Sequence, residues 1–168
     1  MIRVIVFCYF FVVMSEFSVN GQSINNIDNF KISIPCKLKI TYNQNSAKSF
    51  GCQVVKDNIP NSYRLTIRDF ANTLYKFDDS GKKVFIEELL NKIRMNASEK
   101  STNIKIRQFY NYSAIQFDNI VNMEDVSFNS RSFVFFYRSK LITINYVSIP
   151  KGFDSRFDEY LDSVTLVQ

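Results

Sequence analysis

The sequence contains no histidine and no tryptophan. Without histidine there is no Ser-His-Asp or Cys-His catalysis, and the commonest general base and commonest metal ligand are missing. Four glycines and three prolines in 168 residues exclude a collagen-like or low-complexity chain. None of the glycines builds a G-x-G-x-x-G or P-loop phosphate cradle. The three cysteines form neither a CxxC unit nor a zinc-ligand spacing. Asp78-Asp79-Ser80-Gly81 lacks the alternating ligands and terminal glutamate of a calcium loop, and reads as the lead-in to a helix. No cofactor and no metal is expected.

Long hydrophobic runs are also scarce. Val4 to Met14 is an unbroken apolar stretch of eleven residues, against the roughly 20 that a bilayer-spanning helix needs. It follows the basic start Met1-Ile2-Arg3 and precedes a polar stretch ending Val19-Asn20-Gly21. This is the pattern of a secretory signal peptide over residues 1–21. Cys8 lies too early in the run to be a lipid-anchored cysteine. Residues 22–29 are polar and Asn-rich and are expected to form a flexible N-terminal segment. Residues 30–168 have the length of one domain. No later segment is long and apolar enough to span a membrane, so the chain is not expected to be transmembrane after signal cleavage. A secreted or periplasmic location follows.

Aromatic residues are abundant, with 17 Phe and 9 Tyr to fill a core. The net charge is +5, and removing Arg3 and Glu16 together leaves it unchanged. The basic blocks of a nucleic-acid-binding tail are absent, and a secreted protein rarely meets nucleic acid. Signal cleavage leaves Cys36 and Cys52. In an oxidising compartment these are expected to pair; the alternative is two buried free thiols.

The densest β signal is Arg131 to Ser148, R-S-F-V-F-F-Y-R-S-K-L-I-T-I-N-Y-V-S. With Ser139-Lys140 as a two-residue loop, Tyr137 opposes Ile142, Phe135 opposes Ile144 and Phe133 opposes Tyr146, all on one face. The other face is mixed rather than polar, so both faces are expected to be covered, as in a central hairpin.

Phe30, Ile32 and Ile34 alternate with polar residues up to Pro35, and Leu38, Ile40 and Tyr42 do so with Lys37, Lys39 and Thr41. Asn43 to Gly51 reads as a loop, Cys52 to Val55 as a short strand, and Asn58 to Ser62 as a turn around Pro60. Tyr63, Leu65 and Ile67 mark a further strand. Phe70 to Phe77 is ambiguous between loop and short helix. After a break at Asp78 to Gly81, Phe85, Ile86, Leu89, Leu90 and Ile93 form the apolar stripe of the longest helix, fading near Ser98 to Ser101. A second hairpin turns at Tyr110-Asn111, setting Ile106 against Ile115 and Ile104 against Phe117. Val121 to Ser130 reads as a polar connection. Phe153, Phe157, Tyr160 and Leu161 mark a short C-terminal helix, and Val164 to Val167 a last strand. The fold class expected is α+β: a central antiparallel sheet flanked by one long and one short helix.

The segments F-K-I-S-I-P, Y-R-L-T-I, Y-N-Y-S-A-I-Q-F, R-S-F-V-F-F-Y-R-S-K-L-I-T-I-N-Y-V and F-D-E-Y-L-D-S-V-T-L, in this order around the helix, resemble the PsbP/Mog1-like family of small α/β/α sandwich proteins. The resemblance covers Phe30 to Val167. Val164 stands where that family usually has an aromatic, and Tyr110-Asn111-Tyr112 where a glycine is usual. The resemblance implies a sheet covered by helices and a binding or assembly role more than catalysis, with no partner-site residues to carry over.

Three functions remain in view. The first is a secreted non-enzymatic binding or assembly module with a protein partner. The second is a secreted effector or surface-binding protein. It would use Lys31, Lys37, Lys39, Arg64, Arg68, Lys105 and Arg107, which alternate with core residues and could line one face of a shared sheet for an anionic surface or acidic partner. The third is a carboxylate-dependent hydrolase built from Glu87, Glu88, Glu124, Asp125, Asp154 or Asp158, among which the sequence singles out no pair. Asn96-Ala-Ser98 and Asn111-Tyr-Ser113 match the N-glycosylation sequon. The secreted protein is expected to begin at Gln22. Intact-mass measurement checks this, and a mass that includes residues 1–21 overturns the signal-peptide reading.

Overall fold

The computed structural model describes residues 22–44, 46–70, 78–96, 101–123 and 126–167. The signal-peptide reading, most of Phe70 to Phe77, and Glu124 and Asp125 lie outside the described residues. Among the described residues, ten strands and two helices make a β-rich sandwich, which corrects the expected α+β class. The strands are β1 (Ser23–Ile27), β2 (Phe30–Ile34), β3 (Lys39–Gln44), β4 (Ala47–Lys56) and β5 (Ile59–Asp69), then β6 (Ser101–Phe109), β7 (Tyr112–Met123), β8 (Val126–Tyr137), β9 (Lys140–Ser148) and β10 (Val164–Leu166). The helices are α1 (Asp79–Asn96) and α2 (Phe153–Asp162). A seven-stranded antiparallel sheet runs β3-β4-β5-β9-β8-β7-β6, and a smaller one runs β1-β2-β10.

Both faces of the large sheet are covered, as the mixed hairpin pattern requires. On one face Phe30, Ile32 and Ile34 of β2 and Phe153, Phe157, Tyr160 and Leu161 of α2 bury Tyr63, Leu65, Phe133, Phe135, Ile142, Ile144 and Tyr146. On the other, Ile86 and Leu90 of α1 pack on Ile115 and Phe136. The helical stripe therefore holds, with Phe85, Leu89 and Ile93 packed beside those two. The start of α1 differs from expectation. Asp78 is the N-cap: its Oδ1 accepts the Gly81 amide at 2.7 Å and its carbonyl accepts the Lys82 amide at 3.0 Å. The break at Asp78 to Gly81 is thus the helix's first turn, with Asp79 near its positive end.

The central hairpin pairs two residues out of the expected register. Phe135 faces Ile142, Phe133 faces Ile144 and Tyr137 faces Lys140, so the turn is Arg138-Ser139. A slip of two leaves every side chain on its original face, so the apolar pattern cannot distinguish the two registers. The Tyr110-Asn111 turn and the Ile106–Ile115 pair stand as read, and a bulge falls between Thr102 and Lys105.

Three segments that composition marked as irregular are strands. Ser23 to Ile27 is β1, and Asn25 in it is buried rather than frayed. Asn43 and Gln44 belong to β3 and Ala47 to Gly51 to β4, while Val121 to Met123 belong to β7 and Val126 to Ser130 to β8. Their backbones complete ladders, and the buried Asn25, Ser49 and Ser130 side chains find hydrogen-bond partners, so polar composition does not break them. Pro60 is likewise inside β5, opposite Val55, and the turn is Asp57-Asn58 with φ 54° and 60°. A tight hairpin with both turn residues at positive φ suits the right-handed twist of its strands. Few glycines are available, so Asp28, Ser46, Tyr110 and Arg138 also take positive φ at hairpin turns. Gly152, before α2, has φ 65°, and a Cβ there would come within 3.0 Å of Arg156 Nη1.

Cys36 and Cys52 form a disulfide that ties the β2–β3 link to β4. Closing this loop of 16 residues stabilises by roughly 3 kcal/mol on the chain-entropy view.

Tyr63 and Tyr160 meet edge-to-face at 5.0 Å in the core, and burial raises both phenols above the ordinary tyrosine value of 10.0. In the unfolded chain these phenols ionise near pH 10; folded, they keep their protons. The folded-state stability they carry is therefore present below pH 10 and lost as pH rises above it. Denaturant unfolding at stepped alkaline pH should show that decline, with a shallower slope for Tyr160→Phe; equal slopes would contradict it.

Candidate functional site

The register places the seven basic residues proposed for one face in separate positions. Lys39, Gly51 and Arg64 share one rung of the large sheet, and Gln44, Ala47 and Arg68 another. Since Arg68 opposes Leu141, this is the face on which α1 packs. Lys105 opposes Gln116 and Arg107 opposes Ala114, which puts both on the face covered by α2. Lys31 lies on the outward side of the small sheet, between the inward Phe30 and Ile32, and Lys37 lies in the link from β2 to β3. The structure brings together Lys39, Arg64 and Arg68 and separates the other four from them. Alternation along one strand shows only that a residue points away from its own core neighbours; which face that is depends on pairing. Arg64 is half-buried, and desolvation lowers its pKa from the ordinary arginine value. Arg107 donates from Nη1 to Gln116 Oε1 at 2.9 Å and pairs with Asp158 at 3.3 Å.

Two other arginines fasten α2 to the sheet. Arg131 on β8 grips Asp118 on β7 through Nε and Nη2, at 2.6 and 2.7 Å, and reaches Asp154 of α2 through Nη1 at 2.7 Å. Its guanidinium lies 5.2 Å from the ring centres of both Phe153 and Phe157. Asn103 donates to the second Asp118 oxygen at 2.9 Å. The hydrogen-bonded Asp118 carboxylate holds the Arg131 pKa above its ordinary value, against the effect of burial. On the second side, Arg156 of α2 donates to the Tyr146 hydroxyl at 2.9 Å and, at 3.1 Å each, to Ser148 Oγ and the Ile149 carbonyl. Tyr146 in turn donates to Asn61 Oδ1.

The candidate acids are distributed accordingly. Asp154 and Asp158 are each paired with an arginine, and Glu87 and Glu88 are exposed on α1. A small open cleft of about 270 Å³ lies where the β6–β7 turn meets the end of α2, lined by Arg107, Phe109, Tyr110, Leu161 and Asp162 among others.

A second charge feature follows the chain rather than one face of a sheet. From Asn29 to Lys56 the chain has five lysines and no aspartate or glutamate: Lys31, Lys37, Lys39, Lys48 and Lys56. All five are exposed. This stretch forms β2, the link after it, β3 and β4, and its lysines point several ways: Lys31 outward on the small sheet, Lys39 on the α1 face of the large sheet, and Lys48, opposite Ile67, on the other face. It is held rigidly from inside. The disulfide anchors Cys36, and buried Asn25 accepts the Leu38 amide at 2.7 Å while donating to the Cys36 carbonyl at 3.3 Å. Lys37 therefore projects from a link fixed on both sides. Sequence reading by strand alternation missed Lys48 and Lys56. The signal that finds them is the acid-free run, which needs no knowledge of register.

The chain matches no protein-family model and no curated protein. Among solved structures, a crystal structure from Bacteroides thetaiotaomicron VPI-5482 aligns with TM-score 0.52 and 12% identity over 89% of this chain. This chain spans 50% of the length of that protein. The solution structure of cyanobacterial PsbP from Synechocystis sp. PCC 6803 aligns with TM-score 0.49 and 12% identity, covering 92% of this chain and 97% of that one. A Pseudomonas aeruginosa protein of unknown function aligns with TM-score 0.43 and 9% identity, covering 83% and 91%. The first likeness extends to the fold alone. Among the described residues no helix is long and apolar enough to cross a membrane.

The Arg131 clamp is open to a direct test. Arg131→Ala leaves the Asp118 carboxylate buried without its main counter-charge and is expected to cost roughly 3–5 kcal/mol. The double variant Arg131→Met, Asp118→Leu should recover most of that loss in denaturant unfolding. A double variant as unstable as the single one would show that the ion pair is not what Arg131 contributes.

Proposed function

We propose that the protein is a secreted, non-enzymatic binding module that engages an acidic partner through the lysine-rich flank of β2, β3 and β4. The observation that carries this reading is the acid-free run from Asn29 to Lys56, whose five lysines are all exposed along a disulfide-anchored segment. Lysine on a fixed surface attracts anionic groups over about a Debye length, some 8–10 Å at ordinary ionic strength, and speeds encounter. The disulfide supports an oxidising compartment, where such bonds persist. The pairing of Asp154 and Asp158 with arginines, rather than with each other, supports binding over hydrolysis.

The secreted chain should be retained on an anionic resin at low salt and released as salt rises. Reversing Lys37 and Lys48 to glutamate should lower the salt needed for release, whereas reversing Lys151, an exposed lysine near α2, should have a smaller effect. Retention that ignores salt, or that responds equally to both changes, would remove the flank from the account.

A further inference from the structure

We propose that β3 is a docking edge, accepting an acidic, extended segment of a partner protein as an added strand. This rests on the binding reading above and names the mode of docking and the chemistry of the partner.

The geometry begins with position. β3 is the outermost strand of the seven-stranded sheet and pairs with β4. All six of its residues are exposed, including Ile40 at 62% and Tyr42 at 45%. An edge strand directs a row of N–H and C=O groups outward, which is a template for another strand. At the opposite edge β6 offers less: α1 packs against its Ile104, and Arg107 is engaged with Asp158.

Charge then selects the occupant. Lys37 and Lys39 stand at the start of β3, and Lys48 lies across from Asn43 near its end. A second copy pairing β3 to β3 antiparallel would set the Lys37–Lys39 end of each strand beside the Asn43–Lys48 end of the other, gathering lysines of both copies with no carboxylate among them. An uncharged strand meets the usual edge defences, the lysines and the bulge between Ile40 and Tyr42. An acidic strand turns the lysines from obstacle to attraction, so one feature both repels wrong partners and recruits the right one. Ile40 lies opposite Phe50 and Tyr42 opposite Ser49, on different faces of the sheet. Lys39 shares its face with Tyr42, and Lys48 shares the other face with Ile40. A segment alternating acidic with apolar residues can therefore set its carboxylates on the Lys39 face and its apolar side chains against Ile40 on the other.

The test uses the full secreted chain and a short peptide alternating glutamate and valine. A second peptide carries N-methyl groups on alternate backbone nitrogens, and heparin serves as a polyanion without an amide backbone. Amide hydrogen exchange across residues 39–44 and binding calorimetry are the readouts. The acidic peptide should slow exchange in β3, and N-methylation on the pairing side should weaken binding by about tenfold. Lys37→Glu with Lys48→Glu should also weaken it, with the thermal midpoint of the free protein unchanged. Equal binding of both peptides, still salt-sensitive, would overturn strand addition while leaving the cationic flank in place. Heparin binding without peptide binding would also overturn it, as would slowed β3 exchange in the peptide-free protein that grows with concentration, which marks a second copy as the occupant. Loss of all anion binding would instead defeat the underlying function.

Discussion

From Ser130 to Tyr137 every residue of β8 is buried, so the strand has no solvent side. Side chains alternate along a strand, and burying all of them requires a cover on each face of the sheet. The two covers are different in kind. α1 lies over Phe136 and Ile115, while β2 and α2 close over Phe133 and Phe135. The rest of the architecture follows from this demand. α2, only ten residues long, is too short to be stable alone and depends on its buried aromatic residues and two arginine clamps. The small sheet must be carried to the same face, and the Cys36–Cys52 bond and Asn25 hold its exit toward β3 in place.

The two kinds of cation are put to different uses. Arg131 and Arg156 work beneath α2, where a planar fork of donors can bond carboxylates, hydroxyls and carbonyls while stacking near aromatic rings. The lysines from Lys31 to Lys56 are exposed, as compact, strongly hydrated charges on flexible stems. Interior arginines set the position of the helix, and exterior lysines give one flank its sign. Proposed binding therefore falls to exposed lysines rather than to the buried polar networks, whose groups already satisfy one another. A strand edge beside that flank adds directional backbone groups to a field that by itself has little directionality.

Scarcity of glycine shaped the turns and hid some of them. Hairpins usually announce themselves by Asn-Gly or Asp-Gly, but here Asp57-Asn58, Tyr110-Asn111 and Arg138-Ser139 do that work, with Asp57, Asn58, Tyr110 and Arg138 at positive φ. Pro60 drew the expected turn toward itself and away from Asp57-Asn58. The seven proposed basic positions were separated for a related reason: each was legible as outward-facing within its own strand, but the shared face was a statement about registers between strands. The acid-free run was legible in full, because charge along the chain needs no partner strand to be read.

What the sequence determined by itself was local and periodic. Alternation marked the inward residues of β2, β5 and the β8–β9 hairpin, the 3.6-residue stripe marked α1, and the short aromatic pattern marked α2. Two cysteines without metal-ligand spacing pointed to the bond that forms. What only the tertiary structure decided was pairing. It chose between hairpin registers two residues apart, which the apolar pattern treats as equivalent. It made strands of Ser23–Ile27, Asn43–Gln44 and Val121–Met123, where ladder hydrogen bonds outweigh polar composition. It also shifted the balance from α+β to a β-rich sandwich. The physical reason is the same in each case: side-chain periodicity reports which way a residue points, while backbone hydrogen bonds between distant segments decide what it points toward.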